Sequence, residues 1–128
     1  MPVIFQIALG GALGACLRYA TVVSMARLVG IGFPWGTMVV NVVGSFLMGV
    51  VAVLVLLRQD LGLVRVAPFL MPGLLGGFTT FSAFSLETLD LFEDGRIIGA
   101  VAYAGSSVVF GISALMLGLW LARGWLVP

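Results

Sequence analysis

Thr37 to Leu57 is a run of 21 residues without a charge, and Val66 to Leu86 is a second run of the same length. A helix crosses the hydrocarbon core of a bilayer with about 20 apolar residues. Two more uncharged stretches flank these runs: Met1 to Leu17, resumed after Arg18 as far as Ala26, and Ile97 to Ala122. The spacing predicts an all-α chain with four transmembrane helices over 3–27, 35–57, 66–91 and 97–122. They form a single transmembrane domain over 1–128 and leave nothing for a soluble one. The solvent of such a chain is lipid: 62% of its residues are hydrophobic and 9% are charged, against about 25% charged in ordinary soluble domains.

Short polar segments punctuate the spans. Gly30, Gly32 and Pro34 mark a turn, and Trp35 suits a membrane–water interface, as do Trp120 and Trp125. Arg58 to Arg65 and Glu93-Asp94-Gly95-Arg96 form the other loops. Met1-Pro2-Val3 lacks a basic n-region, so the first span reads as part of the mature protein. The arginines divide almost evenly. Arg58, Arg65 and Arg123 fall on the side of Met1, and Arg27 and Arg96 fall on the other, with Arg18 between. Orientation normally follows a Lys/Arg excess on one side, so this balance predicts insertion in both orientations. Four short helices enclose no lumen of their own. Together these points predict an antiparallel, dual-topology homodimer with its two-fold axis in the membrane plane.

Several chemistries are disfavoured. The chain has no Lys and no His, which removes the usual general base and the commonest metal ligand. Cys16 is alone and forms no intrachain disulfide. No nucleophile–base pair is apparent, so enzyme chemistry is not expected. A net charge of +1 gives no footprint for nucleic acid.

The third uncharged run contains the most unusual stretch, Gly76-Gly77-Phe78-Thr79-Thr80-Phe81-Ser82-Ala83-Phe84-Ser85. Paired glycines weaken a helix, and clustered hydroxyls compete for backbone groups. The stretch therefore predicts a broken third helix, with the break near 76–80. Irregular backbone at membrane depth is tolerated where protein or a wet cavity satisfies it, and transporters build ion sites at such breaks. Spacing by three puts Phe78, Phe81 and Phe84 on one ridge, with Thr79, Ser82 and Ser85 on the next. The alternative is a packing surface whose hydroxyls bond back to their own helix.

Other polar residues fall inside the spans. Arg18 follows Gly10 and Gly14, a small-xxx-small face. An intramembrane arginine either snorkels to an interface or supplies positive potential to a wet vestibule. Thr37, Asn41, Gly44 and Ser45 share a helix face, and Asn41 either locks two helices together or donates to a ligand. In the fourth span Tyr103 and Ser107 share a face, with Ser106 beside them and Ser113 further on. Asp90 marks a membrane edge; Glu87 fits either that edge or an aqueous entrance. With no carboxylate near the centre of a span, a track through Thr37, Asn41, Ser82, Ser85, Tyr103 and Ser107 offers only neutral donors. Such a track favours a small anion, which Phe81 and Phe84 could meet with their positive ring edges.

These residues resemble a known family. Gly76 to Thr88 closely resembles the signature of the CrcB/Fluc fluoride channels, as do Gly10 to Ala15 with Arg18-Tyr19, Trp35-Gly36-Thr37 with Asn41, and Tyr103-Ala104-Gly105. The resemblance covers the whole chain. It implies passive fluoride export across the cell (inner) membrane through two pores in an antiparallel homodimer. Family roles carry over to Phe81 and Phe84 as pore phenylalanines, Asn41 as pore asparagine and Thr37 as vestibule threonine. Tyr103 and Ser107 carry the polar track. The resemblance also implies a structural Na⁺ at the dimer interface, held by the backbone carbonyls of Gly76 and Thr79. Ala83 and Gly111 depart from the pattern, each standing where relatives can carry a hydroxyl.

Two other transport readings stay open at this point. A small multidrug-resistance-type exporter needs an acid within the first helix, where this chain has Arg18. A fluoride–proton exchanger needs a titratable group on the pathway, for which Glu87 is the candidate. A subunit that assembles without transporting is the third alternative.

Overall fold

The computed structural model describes residues 1–126, apart from the side chains at 61 and 126. It is all-helical, and four helical spans are long and apolar enough to cross a membrane: Val3–Val29, Trp35–Leu57, Phe69–Glu93 and Ile97–Trp125. Even the shortest, with 23 residues, reaches about 35 Å at ~1.5 Å per residue, beyond the ~30 Å hydrocarbon core. The chain is a multi-pass integral membrane protein.

α1 (Val3–Val29) ends at Gly30, whose φ of 88° lets its N–H turn back to the Ala26 carbonyl at 3.0 Å. Residues with a Cβ seldom take that conformation. α2 (Trp35–Leu57) starts directly after Pro34, and Arg58 follows it as the charges resume. Arg58 pairs with Asp60, Nε to Oδ1 at 3.1 Å. That hydrogen bond, and then the carboxylate's charge, raise the guanidinium pKa above its ordinary value.

The third span is the irregular one. Its first part, Phe69–Leu75, is a π-helix with Pro72 inside it. Proline has no N–H and crowds the carbonyl four residues back, here that of Pro68; the wider turn relieves both problems. A single turn, α3 (Gly76–Phe78), follows. Thr79 and Thr80 are then extended (φ −77°, ψ 158° and φ −151°, ψ 124°) before α4 (Phe81–Glu93) begins. Thr80 caps α4, its Oγ1 accepting the Ala83 N–H at 3.2 Å, as an N-cap threonine does.

Two details differ from the sequence reading, although the extended pair lies within 76–80. Gly76 and Gly77 remain helical; the extended residues are the threonines after them. Gly77 serves close contact, since a Cβ there would stand 2.9 Å from the Gly11 Cα. The ridge drawn through Phe78, Phe81 and Phe84, like the one through Thr79, Ser82 and Ser85, is interrupted. Phe78 ends the turn before the extended pair, and Thr79 is the first residue of that pair. Phe78 packs where a side chain at Gly44 would stand.

α1 crosses the third span at backbone distance. A Cβ on Gly10 would stand 2.8 Å from the Leu74 nitrogen, and one on Gly14 2.8 Å from the Phe78 nitrogen. Gly73 and Gly77 return the contact, so two small-xxx-small faces meet. α2 and α5 (Ile97–Leu126) form the most extensive helix pair. Gly111 lies against Ser45 and Gly49 against Leu115, so contacts advance together along both and the two helices run parallel. Met38, Leu91, Ala100 and Tyr103 form the buried core at one end, with Phe33, Val42 and Phe84 packed on it. Large apolar side chains such as Leu9, Leu13, Leu17, Val108, Phe110 and Trp120 face outward, a surface too apolar for a soluble monomer.

Candidate ion pathway

Asn41 sits on α2 opposite the extended pair. Its Nδ2 donates to the Thr80 carbonyl at 2.9 Å, and its Oδ1 accepts the Thr80 N–H at 2.8 Å. One amide side chain thus satisfies both backbone groups of a residue that has left the helix, in a region where water is scarce. In a continuous helix the Thr80 N–H would close on the Gly76 carbonyl four residues back. Diverting it to Asn41 takes that donor from Gly76. The second N–H of the Asn41 amide is left for another acceptor.

An open cleft of about 380 Å³ lies beside this pairing, lined by Asn41, Ser45, Gly76, Thr79, Thr80 and Phe81 among others. Phe81 is 79% exposed. Arg18 reaches in from α1, its Nη1 3.5 Å from the Thr79 carbonyl, at the outer limit of a hydrogen bond. Thr79 Oγ1 bonds back to the Leu75 carbonyl and Ser85 Oγ to that of Phe81, each at 2.9 Å. Ser82 lies 3.4 Å from Thr80 Oγ1. Ser82 and Ser85 are both exposed.

Midway along α4, Glu87 joins α2 to α5. Thr37 Oγ1 donates to Glu87 Oε1 and the Tyr103 hydroxyl to Oε2, both at 2.7 Å. Thr37 and Tyr103 are buried to 1% and 0% exposure. A carboxyl group thus takes the hydroxyl protons of two residues expected to offer free donors. Sequence reasoning left Glu87 between membrane edge and entrance; its spacing from the break gave no sign that two hydroxyls from other helices converge on it. Glu87 also lines a second cleft of about 290 Å³ with Thr37, Asp90, Asp94 and Arg96.

Aromatic rings connect the two ends. Phe84 lies 5.6 Å from Phe81 and 5.4 Å from Tyr103, centroid to centroid, and Tyr103 meets Phe33 edge-on at 5.4 Å. Beside this ladder Ser107 Oγ is buried with no hydrogen-bond partner. Such orphans in a native fold call for a ligand or a water. Ser106 Oγ instead bonds the Tyr103 carbonyl at 3.4 Å. Among the described residues, no cluster of three or more His, Cys, Asp or Glu side chains could hold a metal ion.

The comparisons extend over the same residues. The family model described as CrcB-like protein, Camphor Resistance (CrcB), matches residues 5–119. A Cereibacter sphaeroides protein named Fluoride-specific ion channel FluC is 54% identical over 123 residues, covering 96% of each chain. Proteins of the same name from Chelativorans sp. and Hyphomonas neptunium are 50% and 47% identical over 117 residues. Those matches cover 91% of this chain and 93% and 92% of theirs. A match that runs from α1 through Asn41, the extended threonines and Tyr103 into α5 makes this chain a member of the CrcB-like family.

Proposed function

We propose that the protein is a fluoride-selective channel that lets fluoride leave the cell passively across the inner membrane. The observation that carries the reading is the ladder of Phe81, Phe84 and Tyr103 beside Asn41, in a chain close to relatives named for that activity. Fluoride sheds water against uncharged N–H and O–H groups and against positive ring edges. It passes on because no single site holds it with a full charge. Asn41 offers its remaining amide proton, and Ser107 offers a hydroxyl without an internal partner. Thr37, Tyr103, Ser82 and Ser85 line the pathway, with the Thr37 and Tyr103 protons held by Glu87 and that of Ser85 by the Phe81 carbonyl until the ion arrives, and Arg18 supplies the positive potential that gathers anions. Chloride, larger and a weaker acceptor, fits such donors poorly.

The working unit is an antiparallel homodimer. Phe81 stands exposed on a single copy, and its cleft is open where a second copy would close it. A structural Na⁺ belongs to the same proposal, at carbonyls of which that of Thr79 is also approached by Arg18 Nη1 at 3.5 Å. Gly76 and Thr79 carbonyls lie beside the break, and Gly76 has lost its helical donor to Asn41. Hard carbonyl oxygens suit an alkali ion without a carboxylate. Two carbonyls from each copy would hold it, and its role would be to fix the two copies together.

A second reading, fluoride–proton exchange, is favoured by one feature only: the carboxylate of Glu87 on the track. Fluoride release from proteoliposomes, followed with a fluoride electrode and with chloride as control, tests the channel reading. Fast, chloride-excluding release supports it; no release from monodisperse protein overturns it.

A further inference from the structure

Ser45 has a hydroxyl that nothing inside the protein uses. Among the described residues, every other buried or half-buried serine or threonine hydroxyl is hydrogen-bonded, except that of Ser107. Ser45 is half-buried on α2, and an intrahelical bond to the Asn41 carbonyl is open to it by spacing. Thr21, Thr79, Ser85 and Thr88 all bond back in that way. Ser45 does not, and it lines the cleft beside Asn41 and Phe81.

The facing position on α5 explains the room it has. A Cβ on Gly111 would lie 3.8 Å from Ser45 Oγ. A side chain there would stand at the hydroxyl, and glycine leaves that space open. The parallel register of α2 and α5 brings Ser45 level with Gly111 and Ser107 level with Asn41, one turn away. The two unpartnered hydroxyls therefore follow one another along the same helix pair, the first on α5 and the second on α2.

We infer that the donor line of the anion pathway changes helix at Gly111, and that Ser45 Oγ is the donor beyond Ser107. The inference rests on the fluoride-channel reading and adds a residue to its pathway. It also accounts for the glycine at 111: the hydroxyl missing from α5 at that level is supplied from α2.

The test is fluoride release from proteoliposomes by wild type, Ser45→Ala, Ser45→Cys and the double variant Ser45→Ala/Gly111→Ser. Size-exclusion profiles and thermal midpoints are measured in parallel. Loss of one donor slows release by about tenfold in Ser45→Ala, and in Ser45→Cys because a thiol is a weak donor. Gly111→Ser returns a hydroxyl at the same level and recovers most of that loss. Undiminished release from both single variants overturns the inference, and so does a loss that the second substitution leaves unrepaired. If wild type itself releases no fluoride, the channel reading fails first; if wild type conducts and only the variants disagree, the inference alone fails.

Discussion

The carboxamide of Asn41 pairs with both the N–H and the C=O of Thr80, at 2.8 and 2.9 Å, much as a neighbouring strand would. This pairing permits two extended residues at membrane depth. It makes Asn41 a structural residue first, whatever it also offers an ion.

Asn41→Ala leaves two backbone groups of the 8%-exposed Thr80 unpaired, each at about 1–3 kcal/mol. The expected outcome is a thermal midpoint far below wild type, with aggregation on size exclusion. Asn41→Asp still accepts the Thr80 N–H but cannot donate to its carbonyl. It also brings a negative charge to the pathway, so it retains more stability than the alanine variant while losing fluoride release. Equal stability of Asn41→Ala and wild type would show that the break has another support.

Glu87 accepts from Thr37 and Tyr103, one hydroxyl on each carboxylate oxygen. Glu87→Gln replaces one acceptor oxygen with an amide donor, so one of the two hydroxyls must accept instead and its own proton loses its acceptor. A loss of about 1–3 kcal/mol in stability follows. If the protein is a passive channel, fluoride still runs down its gradient in this variant. If it exchanges protons, uphill fluoride uptake on a proton gradient is present in wild type and absent in Glu87→Gln. Flux assays with and without an imposed pH step separate the two.

α1 and the third span touch through backbone atoms, which have no rotamer with which to yield. Gly14→Ala drives a methyl group into the Leu74 carbonyl and the Phe78 nitrogen, and overpacking of this kind costs about 1–3 kcal/mol. Gly11→Ala, three residues away in the same helix, meets nothing within 4 Å and should leave the thermal midpoint unchanged. Similar midpoints for the two variants would mean that the helices are free to separate.

The even split of arginines bears on orientation. Arg58 stands on the side of Met1 with Asp60 bonded to it, and acidic residues weigh little in the positive-inside balance. C-terminal fusions to two reporters, each active on one side of the membrane, should both give signal. An added pair of Lys residues in the 58–65 loop should silence one of them. Signal from one reporter alone with the native sequence would count against dual insertion.

The spans could be read from the sequence because local chemistry ends them: Gly30 and Pro34 between α1 and α2, Arg58 after α2, and Gly95-Arg96 before α5. For the third span a packing surface stands beside the broken helix as a reading, but spacing does not say what its glycines seat. Whether a glycine weakens a helix or seats a neighbour depends on what lies 3 Å away, and Gly77 lies against Gly11 from a distant part of the chain. Glu87 was ambiguous for the same reason. Its two donors come from α2 and α5, and no spacing along α4 reports them. Thr37 and Tyr103 were singled out as polar residues in apolar helices, which is a local signal; their shared acceptor is a tertiary one.

Phe81 and Phe84 are neighbours in the aromatic ladder but differ in what else they touch, and that difference separates function from folding. Phe81 is 79% exposed. Phe81→Ile should therefore leave the thermal midpoint near that of wild type while it removes a positive ring edge and cuts fluoride release. Phe84 is half-buried, 5.4 Å from Tyr103, and packed on the core of Met38, Leu91 and Ala100. Phe84→Ile should lower both release and stability, because aromatic pairs add about 0.5–1.5 kcal/mol beyond their buried area. Paired melting curves and liposome assays read both quantities. Undiminished release from a well-folded Phe81→Ile variant would remove the ring edge from the pathway and leave the hydroxyls and Asn41 to strip water from the ion.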